Sequence, residues 1–143
     1  MNKIKSYFVY AILLFLAAGC SANKALTVEN PWARPGTTGS NSAIYLTILN
    51  PLSEDDHLIS AVTDAARVVE LHLSTQNESG MMMMMPQQNI LIPARGNLEF
   101  KPGSYHIMLI NLNNDLEVGR TIALQLQFDK AGMIELEVPV IEE

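Results

Sequence analysis

The chain has 143 residues, a formal charge of −6, and 48% apolar against 17% charged residues. That length and balance fit one folded domain and exclude intrinsic disorder. The acidic balance excludes a nucleic-acid binder that rests on Lys and Arg against phosphates. A single cysteine excludes both an intrachain disulfide and a multi-cysteine zinc site. No phosphate-loop, dinucleotide or zinc-protease pattern occurs, and no nucleophile–base pair or carboxylate dyad has informative spacing, so the chain is not expected to be an enzyme. Methionine stands out: there are eight, and five of them run consecutively from Met81 to Met85.

Lys3 and Lys5 precede an apolar stretch from Tyr7 to Ala18. It is too short for an ordinary membrane span of about 20 residues and fits a signal-peptide core. It ends in Leu16-Ala17-Ala18-Gly19-Cys20, which resembles a bacterial lipobox, where small side chains admit the peptidase and the cysteine thiol takes the lipid. Residues 1–19 are therefore expected to be a lipoprotein signal peptide, 20–25 a short tether acylated at Cys20, and 26–143 the folded domain. Processing leaves seven basic and fifteen acidic side chains, a charge of −8, and no free thiol. The expected location is the bacterial periplasm, on a lipid anchor. Ser21 rather than Asp after the cysteine favours the outer membrane.

From Leu26 onward no long stretch has helical period; short runs rich in β-branched and aromatic residues alternate with turn signals. Ala43 to Leu49 is predicted as a largely buried strand ended by Asn50-Pro51. Leu58–Val62 and Val68–Leu73 are predicted next, with His72 at the end of its strand, followed by the polar segment Ser74–Gly80 and the methionine run as a loop. Leu91-Ile92-Pro93 and Leu98-Glu99-Phe100 flank a turn at Ala94–Asn97, and Lys101-Pro102-Gly103 turns into Tyr105–Ile110. Thr121–Phe128 and Ile134–Val140 alternate polar and apolar residues around a hairpin at Asp129–Gly132. Seven or eight such strands predict an all-β fold, an antiparallel sandwich or barrel.

The histidines are His57, His72 and His106, and with the methionines they are the borderline and soft metal donors available. His106 and Met108, two apart on a strand, leave the same face. His72 and a methionine from the run can meet them at one end of a sandwich. Thioether plus imidazole suits Cu(I), because the sulfur is soft, uncharged and takes no proton, whereas imidazole must be neutral to bind. An ordinary structural role for His106 and core filling by Met108 compete with this reading. Five consecutive methionines are poor strand formers, and alternation would put some of them in solvent. On residue types alone, copper binding and a greasy protein-contact loop stand level.

A series of pieces in order then narrows the choice: Asn30-Pro31-Trp32-Ala33-Arg34, Ala43-x-Tyr45-Leu46-Thr47-Ile48-x-Asn50, Asp56-His57-Leu58, Val69-Glu70-Leu71-His72, Ile92-Pro93-Ala94, Lys101-Pro102-Gly103-Ser104-Tyr105-His106-Ile107-Met108-Leu109 and Asn111-Leu112. Together they resemble the periplasmic copper chaperones of the PCuAC family, over roughly Leu26 to Val140. The resemblance implies a cupredoxin-like Greek-key β-sandwich and one Cu(I) held by two histidines and two methionines. It also implies transfer to a recipient cuproprotein, in family precedent the copper site of cytochrome oxidase. The donors carried over are His72, a methionine of the run, His106 and Met108. The family leaves ten residues between the first histidine and the first methionine, and twenty-one between that methionine and the second histidine. Here the first count leads to Met83 and the second to Met84, while Pro86 matches a family Met-x-Pro step and tips the balance to Met84. His57 falls at a position usually basic and is expected on the surface. Trp32 and Arg34 are expected to pack and to carry a solvated charge. The chain ends at Ile141-Glu142-Glu143 without the family's His- and Met-rich tail, so a single copper site is expected.

Overall fold

A computed structural model describes residues 25–142; the signal peptide, Cys20 and most of the tether read from the sequence lie outside the described residues. Ten strands form two sheets: β1 (Thr27–Ala33), β2 (Ser42–Asn50), β3 (Asp56–Val62), β4 (Ala66–Gln76), β5 (Met82–Gln87), β6 (Ile90–Ile92), β7 (Gly96–Phe100), β8 (Tyr105–Leu112), β9 (Thr121–Phe128) and β10 (Met133–Pro139). One sheet has the order β1-β2-β8-β4-β5, with β7 also paired to β2; the other has the order β10-β9-β3-β6. All named pairs are antiparallel. On one flank of β2, Ser42–Ile44 pairs with β8 and Leu46–Asn50 with β7. The turn at Lys101–Ser104 between those strands therefore sits over the middle of the sheet.

The core follows from alternation. Ile44, Leu46 and Ile48 of β2, Leu71 of β4, and Ile107 and Leu109 of β8 point inward. They meet Leu58, Ile92, Leu124, Leu126 and Phe128 from the second sheet, all fully buried. Because side chains alternate, the same pattern sends His106 and Met108 of β8, and Glu70 and His72 of β4, to the outer face of the first sheet.

Two expectations change. The methionine run is not a loop: Met82–Gln87 is β5, an edge strand paired along its length with β4. It forms because β4 runs on to Gln76, three residues past the end anticipated at Leu73, and offers β5 a template. A tight turn closes the hairpin: Asn77 Oδ1 accepts from the Ser79 and Met81 amides, and Gly80 adopts φ +77°. His72 accordingly lies mid-strand. Among the described residues the strand count is ten rather than seven or eight, the additions being β5 and β1.

Candidate metal centre

Register decides which side chains share the site. His72 pairs with His106 across β4 and β8, and Glu70 pairs with Met108. On the other side of β4, Ser74 pairs with Met84, His72 with Pro86 and Gln76 with Met82. Directly paired residues point the same way and neighbours along a strand point oppositely. His72, His106, Met108, Met84 and Met82 thus occupy one face of three adjacent strands, while Met83 and Met85, opposite Thr75 and Leu73, face the other way. A cleft of about 300 Å³ opens on this face, bounded by the turn at Pro102 and Gly103, and Met82, Met84, His106 and Met108 line it with Arg34 and Tyr45. A larger hollow of about 820 Å³ at Leu49–Ser53 and Arg95–Asn97 contains neither histidine nor methionine.

Both histidines are buried, 8% and 3% exposed, although they sit on an outer face. Their rings are 5.6 Å apart and inclined by 66°. Each ring has one nitrogen held. The Nε2–H of His72 donates to Glu70 Oε2 at 2.7 Å, and the Nδ1–H of His106 donates to the Ser104 carbonyl at 3.1 Å. Carboxylate and carbonyl oxygens only accept, so the lone pairs fall on His72 Nδ1 and His106 Nε2. Those two atoms are buried with no hydrogen-bond partner among the described residues. Orphaned buried nitrogens carry a desolvation cost on the order of 1–3 kcal/mol each. Burial also holds the His106 imidazole below the ordinary histidine range; the Ser104 carbonyl opposes this, and nearby His72 and Arg34 reinforce it. A neutral ring with its other nitrogen anchored is the form a metal takes.

Aromatic packing steadies the histidine side of the cleft. Trp32 lies 4.6 Å from the Tyr45 ring, Tyr45 lies 6.4 Å from His106, and the Arg34 guanidinium sits 5.5 Å over Tyr45. Trp32 packs as expected, whereas Arg34 is drawn over an aromatic ring at the cleft wall. His57, on β3 in the other sheet, is half-buried and takes no part. Glu70 was not singled out from the sequence; its signal is Glu-x-His on a strand, which puts acceptor and imidazole on one face. Among the described residues no three His, Cys, Asp or Glu side chains cluster to hold a metal. The donors on this face are two imidazoles, of which His106 lines the cleft and His72 pairs beside it, and thioethers.

Known structures share this arrangement of strands. The copper-bound PCuAC domain from PmoF2 superposes with a TM-score of 0.69 over 82% of this chain and 93% of that one, at 23% identity. The solution structure of CuI-DR1885 from Deinococcus radiodurans superposes with a TM-score of 0.63 over 89% of this chain and 87% of that one, at 27% identity. The fold is thus the cupredoxin-like β-sandwich of PCuAC domains. A family described as "Putative lipoprotein LpqE-like" matches residues 26–140, and the chain belongs to it. A Rickettsia prowazekii protein called "Uncharacterized protein RP573" is 33% identical over 112 residues, 76% of this chain; the match spans 62% of that relative's length. The family resemblance read from the sequence is borne out.

Proposed function

We propose that the protein is a periplasm-facing carrier of one Cu(I) ion, bound by His72 Nδ1, His106 Nε2, Met108 Sδ and Met84 Sδ and passed on to a recipient cuproprotein. The observation that carries this reading is the pair of buried, unpartnered imidazole nitrogens on a face furnished with thioethers. A soft monovalent ion satisfies both nitrogens without adding the charge a divalent ion would bring. Met84 is preferred to Met83 because it shares the histidine face. The Cu(I) form of the Deinococcus protein supports the choice of ion. A methionine strand used only for protein contact leaves the two orphaned nitrogens unexplained. The chain acts as a carrier rather than an enzyme, anchored through a lipid on Cys20, with the outer membrane favoured. Family precedent makes the copper site of cytochrome oxidase the model recipient.

Delivery asks for ligands that leave one at a time. Here two donors are fixed and two are soft. His72 and His106 stand on interior strands with their second nitrogens pinned, while Met84 is 59% exposed on the edge strand. Anaerobic Cu(I) titration with X-ray absorption tests the proposal. One ion per chain with two nitrogen and two sulfur neighbours is expected, with a sulfur lost in M84L and none in M83L. Absence of stoichiometric binding, or unchanged affinity in a combined H106A/M108L variant, overturns it.

A further inference from the structure

Met82 is a thioether that the four-donor site does not use. It stands two residues before Met84 on β5, opposite Gln76, and lines the same cleft as Met84, His106 and Met108. Alternate residues of a strand lie roughly 6.6 Å apart, within the joint reach of two flexible methionine side chains. Met82 is 51% exposed and lies nearer the hairpin turn than Met84. Met83 and Met85, equally exposed, stand on the opposite face.

We propose that Met82 is a transfer ligand, the thioether to which Cu(I) passes as it leaves the resident site. This rests on the reading that the cleft binds Cu(I). The exchange is balanced simply: Met82 Sδ forms a bond to copper as the bond from Met84 Sδ breaks, copper stays monovalent, and no proton moves because thioethers carry none. The alternative is departure straight from buried imidazoles into water, with the coordination number falling before any new donor arrives. A neutral sulfur on the same strand face removes that step. Met82 is about as exposed as Met84 (51% against 59%), and it is its place beside the hairpin turn that sets it where a recipient's donor can follow. Two methionines of the run thus have separate duties, Met84 in holding the ion and Met82 in releasing it.

The test is anaerobic stopped-flow transfer of Cu(I) from the loaded protein to bathocuproine disulfonate, with M82L, M83L and M84L compared. Leucine at an exposed edge position keeps the apolar bulk, so each variant is expected to fold. M82L is expected to slow transfer by about tenfold with equilibrium affinity unchanged. M84L lowers affinity, and M83L alters neither. A second readout is the methionine ε-methyl carbon spectrum during titration with substoichiometric Cu(I), where the Met82 signal broadens by exchange and the Met83 signal stays fixed. Equal transfer rates for M82L and wild type overturn the proposal. So does a loss of affinity in M82L as large as in M84L, which would make Met82 a resident ligand. Failure of the wild-type protein to bind Cu(I) defeats the copper reading itself, and the role of Met82 with it.

Discussion

Glu70→Ala takes away the carboxylate that accepts the His72 Nε2 hydrogen at 2.7 Å. Three things go with it: the orientation of the ring, the bias toward a lone pair on Nδ1, and the extra basicity an anionic acceptor lends to the opposite nitrogen. Loss of such a partner typically costs about 10–100-fold in metal affinity, or roughly 1.4–2.7 kcal/mol. The Glu70 side chain is 42% exposed, so water can replace the acceptor and the charge effect is screened. The expected loss therefore lies at the lower end, about tenfold. Glu70→Gln should fall between, since its amide oxygen still accepts but without charge. Competition for Cu(I) against bicinchoninate, under anaerobic conditions at neutral pH, reads the affinity. Ring-nitrogen chemical shifts of the apo protein read the His72 tautomer. Wild-type affinity in E70A would refute the role given to this contact, as would an E70Q variant weaker than E70A.

Stability of the apo protein should decline as pH falls below about 6.5, where an unfolded histidine takes a proton that buried His106 resists. The contribution is complete above that value and levels off below the lower, folded one; urea midpoints across this range check it, and a profile unchanged by H106N refutes it. Asp56, 1% exposed, accepts from the backbone amides of His57, Lys130 and Ala131 and so ties the start of β3 to the β9–β10 hairpin. Burial alone would raise its carboxyl, but those donors and the Lys130 charge outweigh burial and hold it below the usual range. Asp56→Ala should cost about 2–4 kcal/mol in urea unfolding, and a loss well under that would mean water satisfies the freed amides. Ile107→Val, in the core between His106 and Met108, should cost about 0.5–1.5 kcal/mol of stability. It should leave the copper neighbours seen by X-ray absorption unchanged; altered neighbours would show that site geometry depends on this side chain's packing.

The strands that alternate in hydrophobicity were legible because their inward faces are continuous, as in Ile44, Leu46 and Ile48 or Ile107 and Leu109. β1 was not, because Pro31, a positive φ of 49° at Asn30 and a register shift between Glu29 and Trp32 break its alternation. β5 was hidden for a different reason. Its residues are all partly or fully exposed, so no burial pattern marks it; pairing with β4 and the Asn77 turn make it a strand. The same fact explains the ambiguity between Met83 and Met84. Residue counting reaches both, and only the register against Ser74 separates their faces. His72, His106 and Met108 could be gathered from spacing and family pattern together. Met82 emerges only when cross-strand partners are known, whereas Glu70 is carried by the Glu-x-His step on one strand face.

The outermost position of β5 sets a gradient across the site. β4 and β8 are each paired on both flanks, whereas β5 has β4 alone among the described residues. Amide exchange should consequently be fast along β5 and slow beneath the histidines, because edge strands with few buried apolar contacts open at little cost. Local opening of this hairpin would move Met82 and Met84 together, because both stand on β5, whose residues contribute nothing to the buried core. An ion joining β5 to the interior strands would fasten that hairpin, so its occupancy would be read out as slowed exchange in the β5 amides. The fold thus sets the proposed histidine donors on strands paired along both flanks and the proposed Met84 donor on a strand paired along one.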